Sequence, residues 1–245
     1  MIRYAKENGL IVHTSTNGHF FETREKARKL INAGLDSIII AVDGLDHTTY
    51  EKYRKNGDFN RVLKSIENLV KERNTANVRH PLIIFRFIVM KHNEHQVDKV
   101  HEFAKNLGVD VVTLRTTVTK RDENKFEEKL MPKDLEFNIR DKSKSRKKVK
   151  RCHRPYANLT IFSDGSIVAC EEDYNAGICM GNVRQQSLSD IIRSDNFRKF
   201  LIAFNNNPKQ FKFCAACDML NSKYKTHNVK TEILKQEMYD YVGKA

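Results

Sequence analysis

Two uninterrupted apolar runs, SIIIAVDG at 37–44 and LIIFRFIVM at 82–90, decide what the first half of this chain can fold into. A strand with one wet face alternates apolar and polar residues. A β-branched run without alternation needs cover on both faces, the condition of strands inside a parallel α/β sheet. Between the runs the pattern switches to helical spacing. ETREKARKLINAG (22–34) places Ala27, Leu30, Ile31 and Ala33 on one side, with Gly34 in a helix-ending position. A polar helical stretch around Thr48–Lys55 and a longer helix at 59–74 follow. Asn93 is placed to cap a helix that runs to Leu107 and stops at Gly108. GLIVHTSTNG (9–18) and DVVTLRTTV (110–118) read as two further strands. Alternating strands and helices with short loops predict right-handed βαβ units and a parallel sheet of four strands. Ligands of such sheets bind at the carboxyl ends of the strands. That rim is Thr16–Gly18, Asp43–Gly44, Met90–Lys91 and Thr117–Lys120. The first strand has no partner on its outer side, an exposed edge that ordinarily has to be covered.

The pattern changes past residue 119. Residues 120–151 are weakly periodic and highly charged, and read as a basic linker; from Arg140 to Arg151 eight residues are basic and one is acidic. This strip supplies part of the net charge of +13. It contains no aromatic residue on which a base could stack, so a solvated linker is favoured and nucleic-acid binding through phosphate contacts is secondary. Residues 152–245 form the second expected domain. YANLTIFSDGSIVAC (156–170) is a hairpin around Ser163-Asp164-Gly165. SLSDIIRSDNFRKFLIAF (187–204) is an amphipathic helix with Ser187 as its cap, and a last helix is expected over Asp218–Tyr241. The apolar runs are too short and too interrupted to span a bilayer, and the N-terminus lacks a signal-peptide core. The expectation is a cytoplasmic protein without a membrane segment.

All five cysteines, Cys152, Cys170, Cys179, Cys214 and Cys217, lie in the last 94 residues; the first 151 have none. In a reducing compartment disulfides explain such clustering poorly. Cys152 and Cys170 bracket the hairpin, and hairpins bring their ends together. Cys214-Ala-Ala-Cys217 can aim two thiolates at one ion. Four thiolates suit structural zinc or an iron–sulfur cluster equally, and residue chemistry alone leaves that choice open. A thioredoxin-like redox pair is disfavoured, because that motif follows a strand in a βαβ unit and this one follows NNNPKQFKF. Cys179 lacks a spacing partner and is read as a small core residue. Asp173 is read as a solvated acid rather than a further ligand.

The text Cys152-x-x-Pro155, LTIFSDGSIVACEED, MGNV, SLSDIIRSDNF and CAAC resembles the SPASM domain of radical S-adenosylmethionine (radical SAM) enzymes. The first half resembles the barrel of the same enzymes. STNG at 15–18 is similar to the end of its third strand. Residues 41–69 are similar to the fourth strand and following helices, and 87–115 to the fifth and sixth strands. The resemblance implies an α/β chain, an incomplete parallel (β/α) radical-SAM-type partial barrel over 1–119, followed by a small SPASM-like cysteine-rich α+β domain. It favours an auxiliary 4Fe–4S cluster over zinc, with Cys152, Cys170, Cys214 and Cys217 as metal ligands. It places Asn17, Asp43 and Arg86 where neighbours of S-adenosylmethionine are expected.

Two departures limit what the resemblance implies. The CxxxCxxC motif that carries the family's catalytic cluster does not occur in this sequence, and Ala41 stands where the fourth strand commonly has serine. The expectation is therefore a truncated or split member without independent radical chemistry. It would hold S-adenosylmethionine only with a completing segment or a partner chain that supplies CxxxCxxC. A non-catalytic, zinc- or cluster-containing module that binds a peptide or partner is the alternative. Nothing in the sequence selects among peptide, protein and small-molecule substrates.

Overall fold

The computed structural model describes residues 1–116, 129–134, 136–138, 152–215, 217, 220 and 228–243. The basic strip at 140–151, the rim at Thr117–Lys120 and most of the linker lie outside them. The chain divides into two compact units, one of residues 1–141 with 226–245 and one of residues 142–225.

In the first unit α1 (Ile2–Glu7), β1 (His13–Thr16), α2 (Arg24–Asn32), β2 (Ser37–Ala41), α3 (His47–Tyr53), α4 (Phe59–Thr75), β3 (Leu82–Val89), α5 (Val97–Asn106) and β4 (Val111–Thr116) follow one another. The four strands pair in parallel and in chain order, as the alternation predicts, with Ser37 opposite Leu82 and Ile84 opposite Val111. Ile38, Ile40, Phe85, Phe87, Val112 and Leu114 point to one face and pack on Ala27, Ile31, Val62, Ile66, Leu69, Val100 and Ala104 of the helices. Burial at this density supplies the stability of the unit. β1 is the edge of the sheet among the described residues, and Leu10 and Ile11 just before it are exposed.

The last segment departs from expectation. Instead of one helix over 218–241, the chain forms β8 (Asn228–Ile233) and a short final helix, α10 (Gln236–Gly243). β8 joins β4 in antiparallel register, Thr113 opposite Thr231. The residues NVKTEI alternate and include three β-branched positions, Val229, Thr231 and Ile233, the period of a strand rather than a helix. Met238 of α10 packs on Leu82, Val111 and Ile84, covering the amino end of the sheet's second face. The final twenty residues thus return to the first unit.

α2 and α4 are tied by Glu72, whose buried carboxylate takes Arg28 Nε at 2.7 Å and Arg24 Nε. The Arg28 and Arg24 hydrogen bonds hold its carboxyl below the usual glutamate range. A carboxyl whose folded value is depressed stabilises the fold above its unfolded value and loses that contribution as pH falls through the folded value. The thermal-midpoint gap between the wild-type chain and Glu72→Gln should be full at neutral pH and close progressively below about pH 4. A gap independent of pH would show that the two arginines do not act through charge.

In the second unit α6 (Arg154–Ala157) leads to β5 (Thr160–Ile161), β6 (Ser166–Val168) and β7 (Cys179–Asn182), an antiparallel sheet in that order. The predicted hairpin forms. Gly165 has φ +90°, and Asp164 Oδ1 accepts from Ser166 N at 2.9 Å. The helix expected over 187–204 is two, α7 (Leu188–Arg193) and α8 (Asp195–Asn206). Ser194 breaks it with extended backbone (ψ 151°), and its Oγ accepts from Phe197 N at 3.1 Å as the cap of α8. Ile167, Met180, Ile191, Phe197, Phe200 and Phe204 form the core with Cys214. In CAAC, Cys214 lies within the single turn α9 (Lys212–Ala215), and Cys217 N donates to Cys214 O at 3.1 Å just beyond it.

Candidate functional site

None of the five cysteines is in a disulfide. Cys214 and Cys170 are buried and Cys152 and Cys217 half-buried, all within the second unit. Burial first, and then the neighbouring Cys217, Cys170, Cys152 and Asp173, push the Cys214 thiol up to about 12. Burial is the larger cause, and the charge effects place Cys217, Cys170 and Cys152 in the neighbourhood of Cys214. Burial also raises the Cys170 thiol, against the pull of Arg154. The thiols are not a finished ligand set: among the described residues no three His, Cys, Asp or Glu side chains converge as a metal site. The electrostatic grouping and the lack of convergence agree if the thiols are neighbours that a cation would draw in. Thiolates that each raise the other's pKa require a positive ion before they can coexist. By this test the donor set fits a metal or cluster.

Two readings of neighbouring residues are corrected. Cys179 is exposed on β7, with Sγ donating to Gly181 O at 3.3 Å, and is no core residue. Strand alternation after buried Met180 turns it outward. Asp173 is buried rather than solvated. Its carboxylate accepts Gly177 N and Ile178 N, each at 2.9 Å, and so closes the loop before β7. Arg154 pairs with Glu171 beside Cys170.

The second face of the first unit's sheet carries the other candidates. Asn17 follows β1 and is exposed; its Oδ1 accepts from His19 N at 3.2 Å, closing the turn in which Gly18 takes φ +83°. Ala41 of β2 lies opposite Arg86 of β3, and Arg86 opposite Thr113 of β4. Two residues on, Ile88 is opposite Arg115. Arg86 and Arg115 therefore share this face near the carboxyl ends of their strands, both half-buried. Burial lowers both guanidinium pKa values, and for Arg86 the charge of Arg115 adds to the effect. Arg86 Nε and Thr113 Oγ1 are buried and find no hydrogen-bond partner among the described residues. Such atoms ordinarily have one, in protein, water or ligand. The resemblance that marks Arg86 does not mark Arg115 or Thr113; an arginine inside a β-branched strand is the sequence signal that could have found Arg115.

Asp43 differs from Arg86 and Asn17. It is fully buried, with Oδ2 taking Arg54 Nε at 2.7 Å and Oδ1 taking Ile88 N at 2.8 Å. Burial raises its pKa while Arg54 pulls it back. Asn93 stands at the N-cap position of the 3-10 turn Glu94–Gln96 that leads into α5, as expected, but its side chain makes no cap bond and is a buried clamp. Its Oδ1 accepts Met90 N at 2.7 Å, and its Nδ2 donates to Asp43 O at 3.0 Å and Ile88 O at 2.9 Å. Asp43 and Asn93 lock the ends of β2 and β3 together. Their polar groups are used within the fold.

Comparison with known proteins places both units. The family model of the radical SAM superfamily matches residues 1–84, and that of SPASM, the iron–sulfur cluster-binding domain, matches residues 152–218. The probable GTP 3′,8-cyclase of Methanococcus maripaludis is 27% identical over 139 residues, 49% of this chain and 44% of its own. The AdoMet-dependent heme synthase of Methanosarcina barkeri is 33% identical over 107 residues, 43% of this chain and 28% of its own. The chain thus spans less than half the length of these curated relatives. Among solved structures, Streptococcus suis SuiB bound to S-adenosylmethionine superposes with a TM-score of 0.58 at 10% identity, covering 88% of this chain and 56% of SuiB. Native anSMEcpe with bound AdoMet gives 0.53 at 12% identity, covering 99% and 75%. These likenesses show a common fold. Among the described residues no helix is long and apolar enough to cross a membrane.

Proposed function

Because this chain belongs to the radical SAM superfamily and carries its SPASM iron–sulfur domain, we propose that it holds one auxiliary 4Fe–4S cluster through Cys152, Cys170, Cys214 and Cys217. The observation that carries this is the grouping of Cys217, Cys170 and Cys152 with Cys214, whose own thiol burial and these neighbours push up to about 12. A cluster at this position supplies electron transfer or a Lewis-acidic iron. The chain's own contribution is to set Cys214 in the core with Phe197, Phe200 and Phe204, with Cys152 packed against it.

On the first unit, S-adenosylmethionine would lie along the second face of the sheet. Arg86, with its unpartnered Nε, meets a carboxylate there, and Asn17 stands at the end of β1. Asp43 acts by fixing Arg54 and the ends of β2 and β3, a positioning role. Four of the five cysteines are assigned to the auxiliary site, and Cys179 alone cannot supply a catalytic cluster. Reductive cleavage of the cofactor therefore needs thiolates from polypeptide outside these 245 residues, in a completing segment or a partner chain.

Anaerobic reconstitution tests both halves of the proposal. The chain should take up about four iron atoms with equal sulfide, and with dithionite and S-adenosylmethionine it should form no 5′-deoxyadenosine. Zinc in place of iron would support the structural-metal reading, and robust 5′-deoxyadenosine from the chain alone would overturn the requirement for outside thiolates.

A further inference from the structure

The second unit has a cavity that the metal site does not use. It holds about 570 Å³ and is lined by Pro155, Tyr156, Asn158, Leu159, Ile192, Phe197 and Leu201, with Arg193 and Arg198 at its rim. Tyr156 and Ile192 are exposed although they are large and apolar. None of the lining residues is acidic, and among the described residues neither Arg193 nor Arg198 makes an ion pair. An apolar hollow edged by two uncompensated cations is complementary to an apolar side chain flanked by carboxylates.

A third feature says what kind of molecule carries those groups. From Leu159 the chain runs directly into β5, the outer strand of the sheet ordered β5-β6-β7. Phe162 N donates inward to Ser166 O at 2.9 Å, and Thr160 pairs with Val168 in the same ladder. In an antiparallel ladder alternate residues turn their backbone groups to opposite sides. The N–H and C=O of Ile161 therefore point away from β6, and no described strand takes them. Ile161 itself is exposed. An open strand edge is a template for pairing with another extended segment.

We propose that the cavity and the β5 edge together form a docking site for an extended acidic peptide segment. The segment lies beside β5, one apolar side chain fills the hollow, and carboxylates pair with Arg193 and Arg198. The proposal concerns recognition and stands apart from the cluster and the cofactor.

The test is fluorescence anisotropy on the full 245-residue chain. The probe is a fluorescein-labelled octapeptide alternating aspartate with leucine and phenylalanine, and the control carries lysine for aspartate. The acidic peptide should bind at least about tenfold more tightly than the basic one, and more weakly as salt rises. The double substitution Arg193→Glu with Arg198→Glu touches exposed side chains only and should reverse that preference. N-methylation of the acidic peptide at alternate backbone positions should weaken it about tenfold or more if the strand edge is used. Equal affinity for the two peptides, or no effect of the charge reversal, overturns the proposal. So does sedimentation showing that the chain self-associates through this face and excludes the peptide, which would make it an interface between copies.

Discussion

Asp110→Ala should cost the first unit about 3–5 kcal/mol, the range for removing one partner of a buried ion pair. Asp110 and Arg73 are both essentially buried. Arg73 Nη2 donates to Asp110 Oδ1 at 2.9 Å, Arg73 Nη1 donates to Oδ2, and Ile83 N donates to Oδ2 at 2.8 Å. The Asp110 backbone carbonyl accepts from Leu234 N at 2.8 Å, and Lys235 Nζ is 3.3 Å from Oδ1. One residue thus ties the end of α4, the starts of β3 and β4, and the returning C-terminal segment. In the alanine variant Arg73 keeps its bond to Pro81 O but is left as a buried charge without a counterion. The readout is the urea midpoint at unchanged slope. The double variant Arg73→Met with Asp110→Leu removes both charges and should recover much of the loss. It should not recover all, because Ile83 N–H stays without its acceptor, worth about 1–3 kcal/mol. A single variant within about 1 kcal/mol of wild type would show that the cluster is incidental to stability.

This knot also shows where sequence reading stops. The parallel order of β1 to β4 follows from SIIIAVDG and LIIFRFIVM, because unalternated runs admit little else. Asp110 sits at the head of β4 and looks in sequence like a loop acid. Only the return of β8 and α10, some 120 residues later, surrounds it with Lys235 and Leu234. Residues 218–241 read as one helix because the strand alternation of NVKTEI is short and lies inside a longer Lys- and Glu-rich stretch. Asn93 shows the same limit: a capping residue by type, it became a clamp because Asp43 O and Ile88 O lay within its reach. Cys179 was misplaced for want of a partner in the spacing. Its outward direction follows from alternation with the buried Met180 beside it on β7, a strand phase that cysteine spacing does not encode. For Cys152, Cys170, Cys214 and Cys217 the hairpin and the CxxC spacing make proximity an expectation, all four fall in the second unit, and their service as one ligand set is what metal loading decides.

Cys214→Ser should abolish metal uptake, with iron after anaerobic reconstitution falling to background, whereas Cys179→Ser should leave it unchanged. Cys214 is the buried centre of the set: Cys217, Cys170 and Cys152 all act on its thiol, and it belongs to the aromatic core of the unit. Serine preserves its volume closely but supplies a hard, weakly acidic oxygen in place of a thiolate, which iron–sulfur clusters and zinc both need. Structural metal sites contribute on the order of 10 kcal/mol to the folding of small domains, and the second unit has a core of few side chains. Loading with metal should therefore raise the thermal midpoint of the wild-type chain and of Cys179→Ser, and chelation should reverse the gain. The Cys214→Ser chain should melt at one temperature with or without metal or chelator. Retention of metal by Cys214→Ser with full thermal protection would remove Cys214 from the ligand set. The same loss in Cys179→Ser would mean that the exposed thiol of β7 joins the site when the metal is bound, and that the four-cysteine assignment is wrong.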